Sequence, residues 1–112
     1  MPKIIIADTS FLIAIEKLEL FDQIRDLYNE IFITKTIAAE FGHPLPDWVK
    51  IQEPFNPKIN HILSFILDKG EASAIALAFD FTEIMLIIAE LKARKEALKF
   101  GFRITGTFRS FI

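Results

Sequence analysis

With 112 residues, 52% of them apolar and 12 of them Phe, the chain has material for a real hydrophobic core, and one domain spanning 1–112 is expected. The absence of Cys excludes disulfides, thiolate zinc sites and cysteine nucleophiles. His43 and His61 stand too far apart for a local metal motif, so any metal must be held mainly by oxygen.

The net charge of −2 hides an asymmetry: residues 1–89 carry 7 basic and 13 acidic side chains, and residues 90–112 carry 6 and 2. A basic stretch can hold an anionic polymer beside an acidic pocket, although a solvated helix face is the ordinary explanation. The apolar region 62–91 is interrupted by Asp68, Lys69, Glu71, Asp80, Glu83 and Glu90, so no membrane span is expected. The start MPKIIIAD lacks the apolar run and cleavage site of a secretory signal, which makes a cytoplasmic protein the expectation.

In chain order, KIIIA (3–7) reads as a buried strand with both faces covered. Helices are predicted over 11–18 and 20–30, the second with a stripe of Leu20, Ile24, Leu27 and Tyr28. IFIT (31–34) is the next strand, and KTIAAEF (35–41) a short helix stopped by Gly42. WVKIQE (48–53) alternates like a strand closed by Pro54 and Pro57, and a helix follows over 58–67. DKGEASAIALAF (68–79) is predicted helical, EIMLIIA (83–89) a buried strand, ELKARKEALKF (90–100) a charged amphipathic helix, and FRIT (102–105) a last strand. Alternating strands and helices predict a three-layer α/β/α sandwich with a mainly parallel central sheet of four to five strands.

In such a sheet ligands bind beyond the carboxyl ends of the strands, where the strand order reverses. Asp8 sits at such an end, and Glu40 and Glu71 can reach the same edge by right-handed crossovers. Converging carboxylates repel one another unless a cation or a shared proton compensates, which points to Mg²⁺ or Mn²⁺. Each acid also has a plainer reading. Asp8, Thr9 or Ser10 could cap the first helix, Asp68 and Glu71 stand at capping-box spacing, and Glu40 could be a surface acid.

The order and setting of these residues resemble the PIN-domain family, metal-dependent ribonucleases found in many prokaryotic toxins. IIIADTSFLIAI looks like that family's first strand and acid-bearing loop, and FITKTIAAEF like its second strand and the helix carrying its second acid. LDKGEASAIALAF is similar to the helix of a subgroup close to the VapC toxins, and FGFRITGTF to that subgroup's last strand. The resemblance implies metal-site acids at Asp8, Glu40 and Glu71, with Thr9 or Ser10 supporting them. It implies a two-metal hydrolysis of RNA phosphodiesters, a homodimer and an antitoxin partner; Lys92, Arg94, Lys95 and Lys99 are by default a solvated face but could contact RNA phosphates, and Arg94 matches a basic position common in the subgroup.

One position departs from the family pattern. Strand four typically ends in an Asp, and here Ala89 and then Glu90 occupy that stretch. Glu90 can stand in only if the strand has already turned toward helix, because neighbouring strand residues face opposite sides. The family also often continues into further helix beyond GTFRSFI. The alternative is therefore a weakened or inactive PIN-like module that binds RNA or an antitoxin. A haloacid-dehalogenase-like phosphatase is excluded by Ser10, which stands where a second Asp is needed.

Overall fold

The computed structural model describes residues 4–105, so the GTFRSFI stretch at 106–112 lies outside the described residues. Five strands, all parallel, form one sheet: β1 (Ile4–Ala7), β2 (Ile31–Ile33), β3 (Val49–Ile51), β4 (Ile84–Ile87) and β5 (Arg103–Thr105), in the order β3-β2-β1-β4-β5. Between them run α1 (Thr9–Lys17), α2 (Phe21–Tyr28), α3 (Lys35–Phe41), α4 (Pro57–Leu63), α5 (Lys69–Ala78) and α6 (Leu91–Lys99). Ile5, Ile6 and Ala7 are all buried although successive strand side chains point to opposite faces, so β1 is covered on both sides. The architecture is the expected α/β sandwich on a parallel sheet.

The chain runs outward from β1 through β2 to β3, then crosses back to place β4 on the other side of β1. The switch point therefore lies between the carboxyl ends of β1 and β4, where Ile4–Ala7 pair with Ile84–Ile87 in register. α5 is buried nearly throughout, from Ala72 to Ala78, because its small residues let it lie close against both β1 and β4 while also packing on α3 and α4.

Several boundaries differ from the sequence reading, each for a local reason. α4 stops at Leu63 rather than running to 67, because Ser64 ends it and turns its hydroxyl back to the His61 carbonyl at 2.6 Å. β4 stops at Ile87 rather than at 89: the Ala89 N–H leaves the ladder and donates to a side chain of β1's exit, described below. On α2, Ile24 is buried as expected but Leu27 is 46% exposed, so the apolar stripe is narrower than the spacing suggested.

Candidate active site

The helices that leave the carboxyl edge of the sheet begin on polar caps, and these caps are where the acids gather. Asp8 follows β1 and caps α1, accepting the Phe11 N–H on Oδ1 at 2.8 Å. Its other oxygen, Oδ2, accepts the Ala89 N–H at 2.9 Å, so one carboxylate ties the exits of β1 and β4 together. Asp8 is 2% exposed. Burial is the main influence on its carboxyl and raises its pKa; the two N–H groups oppose that rise and the Asp68 carboxylate adds to it.

Asp68 caps α5 through the Glu71 N–H at 2.9 Å. Glu71, one turn into that helix, is partly buried and faces both Asp68 and Glu90. Burial first, and then these two neighbouring carboxylates, push its pKa from 4.5 up to about 7. A hydrogen bond between the Glu71 and Asp68 side chains acts in the same direction. Glu90 caps α6 by accepting the Ala93 N–H at 2.9 Å. β4 has ended three residues earlier, so Glu90 lies at the start of a helix and reaches this cluster, while Ala89 lies on the connection rather than on the strand end.

Glu40 arrives from α3. The Thr9 hydroxyl donates to its Oε1 at 2.5 Å, and its carboxylate rests against the bare Cα of Gly70 in the first turn of α5. A buried chain of hydroxyls sets that approach. Ser73 Oγ donates to the Gly70 carbonyl at 2.8 Å, which leaves Thr34 Oγ1 to donate to Ser73 Oγ at 2.6 Å while accepting the Ile37 N–H that caps α3. Ser10 is exposed on the first turn of α1.

Asp8, Asp68, Glu71 and Glu90 thus share the switch-point edge through their mutual electrostatic influence, and Glu40 joins it through Thr9 and Gly70. Sequence reasoning read Asp68 only as a cap, and missed Thr34, Ser73 and the contact at Gly70. The cap pattern Asp68–Glu71 was a visible signal; that the same carboxylate also faces Asp8 depends on the crossover.

Among the described residues, no three acidic or histidine side chains close around a single point at metal-ligand spacing. Their present hydrogen bonds explain this, since Asp8, Asp68 and Glu90 are each turned to helix N–H groups and Glu40 to Thr9. The donor set nonetheless fits a hard divalent cation. Every donor is a carboxylate oxygen, and among the described residues none of these five acids has a basic partner within 4 Å. The positive ends of α1, α5 and α6 supply partial compensation, yet Asp8 and Glu71 still hold their protons more tightly than ordinary carboxyls.

Lys92 and Lys95 are exposed on α6, and Arg94 is half-buried one turn after Glu90, on the same side of the helix. None of the three forms an ion pair among the described residues, whereas Lys99 is bound to Glu96 at 3.0 Å.

A parallel α/β sandwich with an acidic cluster at its switch point is the framework of a nuclease-type domain. Residues 4–109 match the DUF3368 family of PIN domains, and the chain belongs to that PIN-domain family. PIN domains are nucleases that generally use divalent metals. Among curated proteins, none matches the chain. No helix among the described residues is long and apolar enough to cross a membrane.

Proposed function

We propose that the protein is a Mg²⁺- or Mn²⁺-dependent endoribonuclease of the VapC toxin kind, acting at the edge formed by Asp8, Glu40, Glu71 and Glu90, with Asp68 among them. The observation that carries this reading is the gathering of Asp8, Asp68, Glu71 and Glu90 at one edge with no basic partner among the described residues; burial first, and then Asp68 and Glu90, push Glu71 up to about 7. A purely structural edge could be capped by neutral Ser, Thr or Asn without such repulsion.

Asp8, Glu40 and Glu71 would hold the metal, and Glu90 would take the part of the acid missing at 89. When bound, a divalent cation supplies Lewis acidity toward a phosphoryl oxygen and a water of lowered pKa. The chain's own contribution is to gather the carboxylates at one edge, Asp8, Asp68, Glu71 and Glu90 at helix starts and Glu40 near the end of α3, from which they would turn to a cation. Thr9 holds Glu40 in place. Lys92, Arg94 and Lys95, on the helix that Glu90 starts, would attract the RNA backbone to the same edge.

A cytoplasmic location, a homodimer and neutralisation by a small antitoxin belong to the same reading. The large apolar side chains on and beside α4 support a protein partner: Ile62, Phe65 and Phe55 are 64%, 77% and 89% exposed. The second reading, a PIN-like module that binds RNA or an antitoxin without cutting, is favoured by Ala89.

Incubation of a mixed RNA pool with the natural protein and Mn²⁺ tests the proposal. Cleavage that chelation stops, and that Asp8→Asn and Glu71→Gln each abolish, supports the ribonuclease. RNA binding without cleavage in every metal tried supports the second reading.

A further inference from the structure

We infer that Gly70 is a positioning residue for the Glu40 carboxylate: the bare Cα in the first turn of α5 is the seat on which that carboxylate rests. The inference rests on the proposed role of Glu40 in metal binding, and it adds a residue that does its work by lacking a side chain.

Gly70 is the second residue of α5, is buried, and has ordinary helical backbone, so no left-handed conformation calls for glycine there. Glycine is also a poorer helix former than alanine, so the helix itself gains nothing from it. What the position does show is a neighbour. A Cβ built on Gly70 would fall on Glu40 Oε1, well inside van der Waals contact, and would also crowd Glu40 Cδ and Oε2 at 3.1 and 3.3 Å. All three atoms of the carboxylate group lie over that one Cα, and no other side chain or backbone atom is among the nearest three.

The approach is held from three directions. The Thr9 hydroxyl binds Glu40 Oε1 from the start of α1. Ser73 Oγ binds the Gly70 carbonyl, and Thr34 binds Ser73 from the cap of α3, so the helix carrying Glu40 and the helix carrying Gly70 are pinned together two turns from the contact or less. Glu40 is therefore located by its neighbours, although its side chain is exposed and has freedom to turn away. An added methyl at 70 meets only the far end of a flexible side chain. The fold can accept it by moving Glu40, and that movement is the loss of function expected.

Gly70→Ala and Thr9→Val in the full-length protein test this from opposite sides. In metal-free protein, Gly70→Ala should melt at the same temperature or a few degrees higher, as expected for alanine in a helix. Its Glu40 side-chain carboxyl ¹³C resonance should shift, and Thr9→Val should shift the same resonance. With Mn²⁺, calorimetry should show an affinity loss on the order of tenfold for Gly70→Ala. In a Glu40→Gln background the same substitution should change affinity no further, because its effect passes through Glu40. An unshifted Glu40 resonance, or a loss of Mn²⁺ affinity that persists unchanged in the Glu40→Gln background, overturns the inference. If Gly70→Ala fails to fold, an unshifted Glu40 resonance in Thr9→Val overturns it instead. A natural protein that binds no Mn²⁺ while Gly70→Ala still shifts Glu40 overturns the metal-site reading and leaves the positioning role standing.

Discussion

Asp8 and Ala89 are joined across the switch point of the sheet: the Ala89 N–H donates to Asp8 Oδ2 at 2.9 Å, and the Asp8 N–H donates to the Ile87 carbonyl at 3.1 Å. One carboxylate thus serves as helix cap, as a clamp between β1 and β4, and as the most buried acid of the candidate site. Asp8→Ala leaves the Phe11 and Ala89 N–H groups without their acceptor and should lower stability by about 1–3 kcal/mol. Asp8→Asn keeps one acceptor oxygen and should cost less, while both variants should lose Mn²⁺ binding. Urea denaturation beside Mn²⁺ calorimetry checks this; an Asp8→Asn protein that binds Mn²⁺ unchanged would assign Asp8 to capping alone.

Ala89 lies beside Asp8 where the family pattern has an acid, so Ala89→Asp should tighten Mn²⁺ binding by on the order of tenfold and raise any RNA cleavage. Glu90→Gln tests the natural substitute. Its amide oxygen can still accept the Ala93 N–H, so α6 should stay capped while metal affinity drops in the natural protein and changes little in the Ala89→Asp background. Equal losses from Glu90→Gln in both backgrounds would mean that Glu90 does not replace the missing acid.

The order of strands and helices was legible because each element carries its own period and its own stop: β-branched runs for the strands, Gly42 after α3, and an Asp–Glu cap pair at α5. Asp8 and Glu71 could be singled out because charge at the end of an apolar run is uncommon. Asp68 could not be raised above a cap, since its approach to Asp8 arises only when the β3-to-β4 crossover brings α5 beside β1. Thr34 and Ser73 were invisible for a similar reason: they are 39 residues apart and meet in the interior. Glu90 was legible only conditionally, and the early end of β4 supplied the condition.

Stability should depend on pH through Glu71, whose pKa of about 7 in the folded protein lies above its ordinary 4.5. Between those values the folded state holds more protons at Glu71 than the unfolded state, so the contribution of Glu71 to stability is greatest below about pH 4.5 and is lost as pH rises through about 7. Asp8, also raised, acts with the same sign. Denaturation of chelator-treated protein across this range should show the decline, and Glu71→Gln should flatten it. A metal-free protein that becomes more stable from about pH 4.5 to 7, with Glu71→Gln behaving identically, would contradict the crowding of carboxylates.

The Thr34–Ser73 pair holds α3 against α5. Ser73→Ala leaves the buried Thr34 hydroxyl without its acceptor and should cost about 1–3 kcal/mol. Thermal melting reads the loss. A Ser73→Ala protein as stable as the natural one would show that packing alone fixes the two helices.

Whether the acids at the β1–β4 switch point hold a divalent cation can be read from crystals of the natural protein grown with Mn²⁺ and measured at a wavelength where manganese scatters anomalously. The expected result is an anomalous peak bonded to Asp8 and at least one of Glu40, Glu71 and Glu90, at about 2.1–2.2 Å as for other oxygen-bound divalent ions of this size. A map from saturating Mn²⁺ with no peak at that edge, and with Asp8, Asp68 and Glu90 still bonded only to backbone N–H groups, would contradict it.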